Sequence, residues 1–462
     1  KDFEPEENSL YEIGNKTTFL DERLAVTLSL YEGIRKDFTT THPDTGETVL
    51  LDLGNSDPNV PQDPYYSDPM DTVCLDQSHV LIPQLLLTSR LSERIGIGLG
   101  FVYPAAQPVG KWGSENGIIR GDTGELRPSP VRYTQLQLGT HGVFPTIGAG
   151  IRIIDELRLG LALQWGMVSF DQSSMTTSAS GTAPQQDIVY KLHGDDMFVP
   201  SFTVSAHAVP LDELDLVVSF KWQDEISGDA ELAIITGLFK PDLVPHVNEG
   251  IKVNEIRLGE MPCKLAGGIR YADRYLPRAE GTGADEADEV WGGTIHDPLS
   301  DERWDIELDV EYQFNSRNDL QHLEYQPGQA IYYENADGSL SMPVEFPPRN
   351  KPYEDVWKKW KNQASIRLGG TYNVIRKVLG ISAGAHYENR GVDPDYMQPD
   401  IWPVERLGLH AGFTVRVLKT WDFVFSYAHI FQETITVATP PHCMDGASCE
   451  VPFDMTAGKP KG

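Results

Sequence analysis

Residues 304–314 read WDIELDVEYQF. Trp304, Ile306, Leu308, Val310, Tyr312 and Phe314 share one parity. Asp305, Glu307, Asp309, Glu311 and Gln313 share the other. Successive side chains of a strand point to opposite faces. Read as a strand, the stretch has hydrocarbon on one face and a ladder of carboxylates on the other. An amphipathic helix would repeat every 3.6 residues instead.

The same period recurs along the chain. In LRLGLALQWGM, Leu157, Leu159, Leu161, Leu163, Trp165 and Met167 oppose Arg158, Gly160, Ala162, Gln164 and Gly166. In WDFVFSYAHIFQ, Trp421, Phe423, Phe425, Tyr427 and Phe431 oppose Asp422, Val424, Ser426, Ala428 and Gln432. IGIGLGFVY alternates Ile95, Ile97, Leu99, Phe101 and Tyr103 with Gly96, Gly98, Gly100 and Val102. The pattern predicts 13 strands, near 24–35, 79–91, 95–104, 132–154, 157–171, 197–210, 214–227, 263–272, 304–315, 362–374, 378–390, 404–417 and 421–434.

Their connections alternate in length. Those at 92–93, 155–156, 376–377 and 419–420 are short and polar, whereas 36–78, 105–131, 172–196, 228–262, 316–361 and 391–403 are long. Antiparallel strands with short turns at one end and long loops at the other describe a membrane-spanning β-barrel. Segment 273–303 breaks the rule, being long on the short-turn side. Its presence predicts either an insertion there or a missed strand pair. A soluble sandwich would turn its apolar face inward. Here Trp165, Trp222, Trp304, Tyr271, Tyr312, Tyr372 and Tyr387 cluster at strand ends, as interfacial aromatic girdles do. The fold class is therefore all-β, a transmembrane antiparallel barrel with apolar residues toward lipid and carboxylates toward the lumen.

Composition narrows function. The 462 residues include 38 basic and 68 acidic side chains, a net charge of −30, which excludes a nucleic-acid partner because phosphates require Lys and Arg. No run approaches the ~20 apolar residues of a membrane helix, a test blind to barrels. Asp305, Glu307, Asp309 and Glu311 need counter-charges or water to stay ionised side by side. By parity Arg367, Arg390 and Arg416 point inward, predicting a polar luminal network. Its role is chiefly structural, the alternative being that one Arg grips a ligand carboxylate. Cys443 and Cys449 share one polar loop and are disulfide candidates, while Cys74 and Cys263 are open. Gly380–Gly384, GISAG, matches a nucleophile-elbow pattern, but Ser382 lies within a strand, so no enzyme is expected. Asp57, Asp63, Asp68 and Asp71 have no calcium-loop spacing; no metal or cofactor is assigned.

The stretches HVLIPQLLLTSRLSERIGIGLGFVYPAAQP, YTQLQLGTHGVFPTIGAGIRIIDELRLGLALQWG, LVVSFKWQDEISGDAELAI, MPCKLAGGIRYA, SIRLGGTYNVIRKVLGISAGAHYENRGV and ERLGLHAGFTVRVLKTWDFVFSYAHIF resemble the FadL-type transporters of long-chain fatty acids and aromatic hydrocarbons. The resemblance covers 79–434 with interruptions. It implies a 14-stranded monomeric barrel in a Gram-negative outer membrane, among lipids and lipopolysaccharide. It also implies an N-terminal hatch, capture of a hydrophobic ligand at extracellular loops, and lateral release beside a kinked third strand. Residues 1–23 are then the remnant of a hatch, 24–434 the barrel, and 435–462 a loop before a missing last strand, with further N-terminal sequence also expected. The kink falls on Gly98, Gly100, Phe101, Val102, Tyr103 and Pro104, unless Pro104 merely ends the strand. The capture groove falls on Met197, Phe198, Leu232, Ile234, Ile235, Leu238, Phe239, Lys240 and Leu243, unless that loop has its own small core. A docking barrel with protein partners at its loops or at 273–303 is the second reading.

Overall fold

A computed structural model describes residues 7–19, 24–35, 76–77, 80–92, 94–102, 107–112, 118–120, 126–129, 135–176, 187–238, 243–275, 297–317, 320–347, 353–393, 404–417 and 421–432. Fourteen of its strands form one closed ring. They are β1 (Glu7–Phe19), β2 (Leu24–Arg35), β3 (Val80–Arg90), β4 (Ile95–Val102), β5 (Gln137–Ile154), β6 (Leu157–Thr176) and β7 (Ile188–Leu211). The ring continues with β8 (Leu214–Gln223), β9 (Lys264–Arg274), β10 (Glu302–Gln313), β11 (Gln363–Ile375), β12 (Leu379–Glu388), β13 (Arg406–Val417) and β14 (Trp421–Gln432). Each pairs antiparallel with the next, and β14 returns to β1 from Glu7↔Phe431 to Thr17↔Trp421. Closure leaves no edge, as hydrocarbon requires, because an unpaired N–H or C=O there costs several kcal/mol.

β1 corrects two expectations. It lies where a hatch remnant was placed, and it closes the barrel against β14, so no open edge awaits a further C-terminal strand. Alternation is weak there, because its odd positions read Glu7, Ser9, Tyr11, Ile13, Asn15, Thr17 and Phe19, with only Tyr11, Ile13 and Phe19 apolar.

The orientation is the expected one. Ile147, Leu163, Leu368 and Tyr372 are each more than half exposed on the outer face. Ile306, Leu308, Val310, Phe413 and Phe423 continue the exposed apolar belt. On a water-soluble protein such a contiguous patch would be an anomaly; against acyl chains it is the requirement.

Above the long-loop end, β5, β6 and β7 continue past the belt. Segment 228–262, read as a loop, is instead a hairpin of strands Glu225–Thr236 and His246–Glu260. Its first strand pairs with β7 from Val189↔Ile235 to Asp195↔Asp229. Strands Leu320–Tyr325 and Tyr353–Trp357 extend that sheet. Phe170, Ile188, Leu192, Leu232, Ile234, Ile251, Ile256, Tyr325, Ile331 and Phe346 are buried together beneath it. The loop's own small core is thus the alternative that holds. Asn248 ties it down: its Oδ1 accepts from the Tyr332 N–H at 2.7 Å, and its Nδ2 donates to the Ile234 carbonyl at 3.2 Å.

Leu308 sits mid-barrel on the lipid face, opposite Ile269 and Leu368. Leu308→Arg should destabilise the protein by about 2–4 kcal/mol, measured by urea unfolding in lipid vesicles. Unchanged stability would mean that this face does not meet hydrocarbon.

Candidate functional site: the barrel lumen

The lumen has two unlike arcs. On β4–β6 the inward positions are bare through the middle of the arc, between the facing pair Arg152 and Arg158 and the facing pair Thr146 and Gln164. Gly96 faces Gly150, Gly98 faces Gly148, Gly150 faces Gly160 and Gly148 faces Ala162 across successive ladders. A Cβ added at Gly98, Gly148 or Gly150 would meet its neighbours only at 3.7 Å or beyond, so side chains are omitted there without steric need. Leu86 on β3 lies on the same side, its Cδ1 3.0 Å from where a Cβ on Gly100 would be.

On β8–β11 the inward positions carry charge. Here lies a cavity of about 630 Å³, lined by Arg158, His207, Asp215, Val217, Arg270, Glu307, Asp309, Glu311 and Arg367 among others. The predicted network forms with a different partition. Asp305 pairs with Arg270 of the preceding strand, Nη2 to Oδ2 at 2.5 Å, and its Oδ1 accepts from the Thr371 N–H at 2.7 Å. Arg270 also pairs with Glu302, which is 2% exposed. Arg274 stands 3.3 Å from Glu302 and 3.4 Å from Asp215. Asp215 in turn accepts from His207 at 2.7 Å. Arg367 reaches only Glu311, at 3.7 Å and half exposed, and Lys264 lies 3.6 Å from the same carboxylate. Glu307 and Asp309 face the cavity. Arg390 lies beyond the end of β12, outside the ladder of carboxylates.

The expected counter-charges Arg367, Arg390 and Arg416 all follow β10 in the chain, whereas Arg270 and Arg274 stand on β9, which precedes it. Their parity in GGIRYADR was legible, since β10 pairs with β9 as fully as with β11.

Arg416 answers a different partner. It donates to Asp422 at 2.6 and 2.7 Å and to Asp297 at 3.0 Å. Asp297 belongs to the anomalous segment 273–303, which is an insertion on the short-turn side. Its end forms one helical turn, α1 (Pro298–Asp301). Pro298 suits the first helical position, and Asp297 caps it, accepting from Leu299 N at 3.2 Å. This turn sits inside the short-turn mouth of the barrel. Asn373 donates to the carbonyls of Pro298 and Glu302, both at 2.8 Å, and Arg376 donates to the Ser300 carbonyl at 2.7 Å. Leu299, Ser300 and Asp301 are buried. Gly380 makes room, since a Cβ there would lie 3.3 Å from Leu299. Gly380 thus serves close packing against α1.

His386 and His410 form a further luminal pair, Nδ1 to Nε2 at 2.7 Å. Gly408 permits it, because a Cβ there would strike the His386 ring at 2.0 Å. Ser382 faces Gly412 mid-strand, and its hydroxyl meets that of Thr371 at 3.1 Å.

The residues expected at a kinked third strand fall on the fourth, β4, because β1 precedes the strands expected from the sequence; there Gly98 and Gly100 face inward, and Phe101 is half exposed outward. The β3–β4 ladder ends at Leu85↔Phe101, although β2–β3 pairing runs on to Gly33↔Val80. Pro83, which has no N–H to donate, lies beyond the Leu85↔Phe101 pair and faces Leu30 of β2; residues 103–106 lie outside the described residues. Val102 still pairs with Phe144, and Tyr103 and Pro104 lie outside the described residues.

The expected capture residues are dispersed. Leu232, Ile234 and Ile235 are buried in the sheet above the barrel, and Leu238 packs beside Leu136 and Met175. Leu243 pairs with Asn335. Met197 and Phe198 occupy a bulge opposite Met167 and point outward, Phe198 edge-on to Trp165 with ring centroids 5.8 Å apart. They join the aromatic belt. Phe239, Lys240, Cys74, Cys443 and Cys449 lie outside the described residues; Cys263 is free and buried.

A closed 14-stranded barrel with an apolar belt and a polar lumen is a transmembrane barrel. Its fold is of the FadL type. It is similar to a crystal structure of a Pseudomonas aeruginosa FadL homologue, at 13% identity and a TM-score of 0.53, over 92% of this chain and 90% of that one. The Pseudomonas putida toluene transporter TodX matches at 11% identity and a TM-score of 0.48, over 91% of this chain and 88% of its own. The Ralstonia pickettii toluene transporter TbuX matches at 10% identity and 0.44, over 94% and 90%. At these identities the likeness is one of fold. No family model and no curated protein matches the sequence.

Burial opposes ionisation of Asp297, but the bonds from Arg416 outweigh it and hold the carboxyl below its ordinary value. Its contribution is therefore complete above the unfolded-state value of about 3.9 and disappears as pH falls through the lower folded value. Asp297→Asn should cost about 1.5–3 kcal/mol at neutral pH and flatten the acid limb of a Tm-against-pH curve. A wild-type acid limb surviving in the variant would assign it to other groups.

Proposed function

We propose that this barrel is a passive outer-membrane channel for hydrophobic molecules, long-chain fatty acids or similar lipophiles. The observation that carries the reading is the bare glycine arc of β4–β6, which runs up to the place where the β3–β4 ladder stops. A ligand lying on the glycine stretch of that arc, between Arg158 and Gln164, meets backbone and Leu86. It would reach the bilayer sideways through the wall beyond the Leu85↔Phe101 pair, beside Pro83, without crossing the ionic floor formed by α1, Arg270 and Arg416. The fold shared with the Pseudomonas aeruginosa FadL homologue supports the same reading. Transfer of apolar surface out of water, about 25 cal/mol per Å², supplies the driving force, and no covalent step is needed. The long-loop end is then extracellular, and the host membrane is that of a Gram-negative cell.

A docking role is the second reading, favoured by the folded sheet above the barrel with its own buried core. Co-purification of a stoichiometric partner, with no lipid in the lumen, would support it over transport.

Gly148→Leu places a branched side chain on the bare arc without backbone strain. It should slow uptake of labelled oleate several-fold while the barrel stays folded, as judged by its heat-modifiable migration on gels. Deletion of the gene should abolish the uptake that this protein provides. Uptake indifferent to both changes would rule out oleate as cargo and this arc as its path.

A further inference from the structure

We propose a divalent-metal site, suited to zinc, on the sheet above the barrel, formed by Glu255, His322 and Glu324. The three sit on neighbouring antiparallel strands. Glu255 faces Glu324 directly, and His322 is two residues before Glu324 on the same face. One ligand atom from each lies within 4.8 Å of the other two, and all three side chains are half-buried. A mixed nitrogen and oxygen set of three, with one position open, is a donor set that zinc accepts.

The surroundings of the imidazole add an independent reason. Asp355, on the next strand, bonds His322 Nδ1 at 2.6 Å. Tyr353 stacks on the ring with centroids 5.9 Å apart. A carboxylate on one ring nitrogen fixes the tautomer and leaves Nε2 as the basic, oriented donor, the arrangement usual behind metal-bound histidines. Asn254 holds Glu324 through a bond of 3.3 Å to Oε1. Each ligand is therefore positioned by a group that is not itself a ligand.

Arg257 is the opposing charge. It faces His322 across the ladder and pairs with Glu255. With no metal bound, it neutralises that carboxylate. A bound cation must share Glu255 with it and is repelled by it. The site thus makes two predictions of opposite sign. Removing a ligand weakens binding, whereas removing Arg257 strengthens it.

The test is zinc titration of the full-length protein in detergent after chelator treatment, followed by calorimetry. Wild type should bind one zinc per chain. His322→Ala should lose that ion. Asp355→Asn should weaken it about 10–100-fold. Arg257→Gln should tighten it. Should His322→Ala fail to fold, the Glu255→Gln/Glu324→Gln double variant serves in its place, with folding checked by thermal unfolding. No saturable zinc binding by wild type, or equal binding by wild type and the ligand variants, overturns the proposal. Weaker binding in Arg257→Gln would remove Glu255 from the ligand set.

Discussion

Backbone satisfaction in hydrocarbon governs this structure. An edge strand in a soluble sheet finds water, but an edge in a bilayer finds nothing. The pairing of β1 with β14 is therefore the contact on which the other 13 ladders depend. It explains why a segment as weakly patterned as 7–19 is drafted into the wall: Glu12, Gly14 and Lys16 suit the inner surface, and the ladder asks little of the outer one. Closure also creates the second problem. A cylinder of this size has an interior, and the interior must be chemically content.

Charge solves it at the short-turn end. Asp215, Glu302, Asp305 and Asp422 converge there, with Arg270, Arg274 and Arg416 among them. Buried charges of one sign would protonate or draw in water, whereas interleaved charges with several bonds each can remain ionised. The insertion between β9 and β10 contributes to the same balance. Its Asp297 and Glu302 supply carboxylates to guanidiniums that originate on the wall. The segment that broke the loop-length rule is thus bound to the lumen by the rule of charge pairing.

Much of the fold could be read from period two, because lipid and lumen impose opposite demands on successive residues. The ladder WDIELDVEYQF shows this at β10, and LRLGLALQWG at β6. The signal fades where one demand is relaxed. At β1 the outer face is half polar. At Glu225–Thr236 the opposite happens: Leu232, Ile234 and Ile235 are all buried, so the strand reads as a continuous apolar run that resembles a sticky loop. Strands covered on both faces lose alternation. Site legibility followed the same physics. The inward carboxylates and Arg367 and Arg416 were visible by parity, but pairing across the barrel depends on which neighbour reaches, and Arg270 reaches Asp305 diagonally. The triad Glu255, His322 and Glu324 was invisible, since it joins strands 70 residues apart that alternation did not reveal.

The two luminal arcs bear on the proposed path. Stripping water from the β8–β11 arc would expose ion pairs to an apolar ligand, and the desolvation of each ion costs several kcal/mol. Between Arg158 and Gln164 the β4–β6 arc offers an apolar ligand mainly backbone already committed to ladders, at Gly96, Gly98, Gly148, Gly150, Gly160 and Ala162. A lipophile entering this lumen is thus driven to one wall by what the other wall would lose. That wall adjoins the place where the described β3–β4 ladder stops at Leu85↔Phe101 while the β2–β3 ladder runs on to Gly33↔Val80. Glycine is what the path depends on: it omits side chains from the lumen while leaving the ladders of β4, β5 and β6 paired.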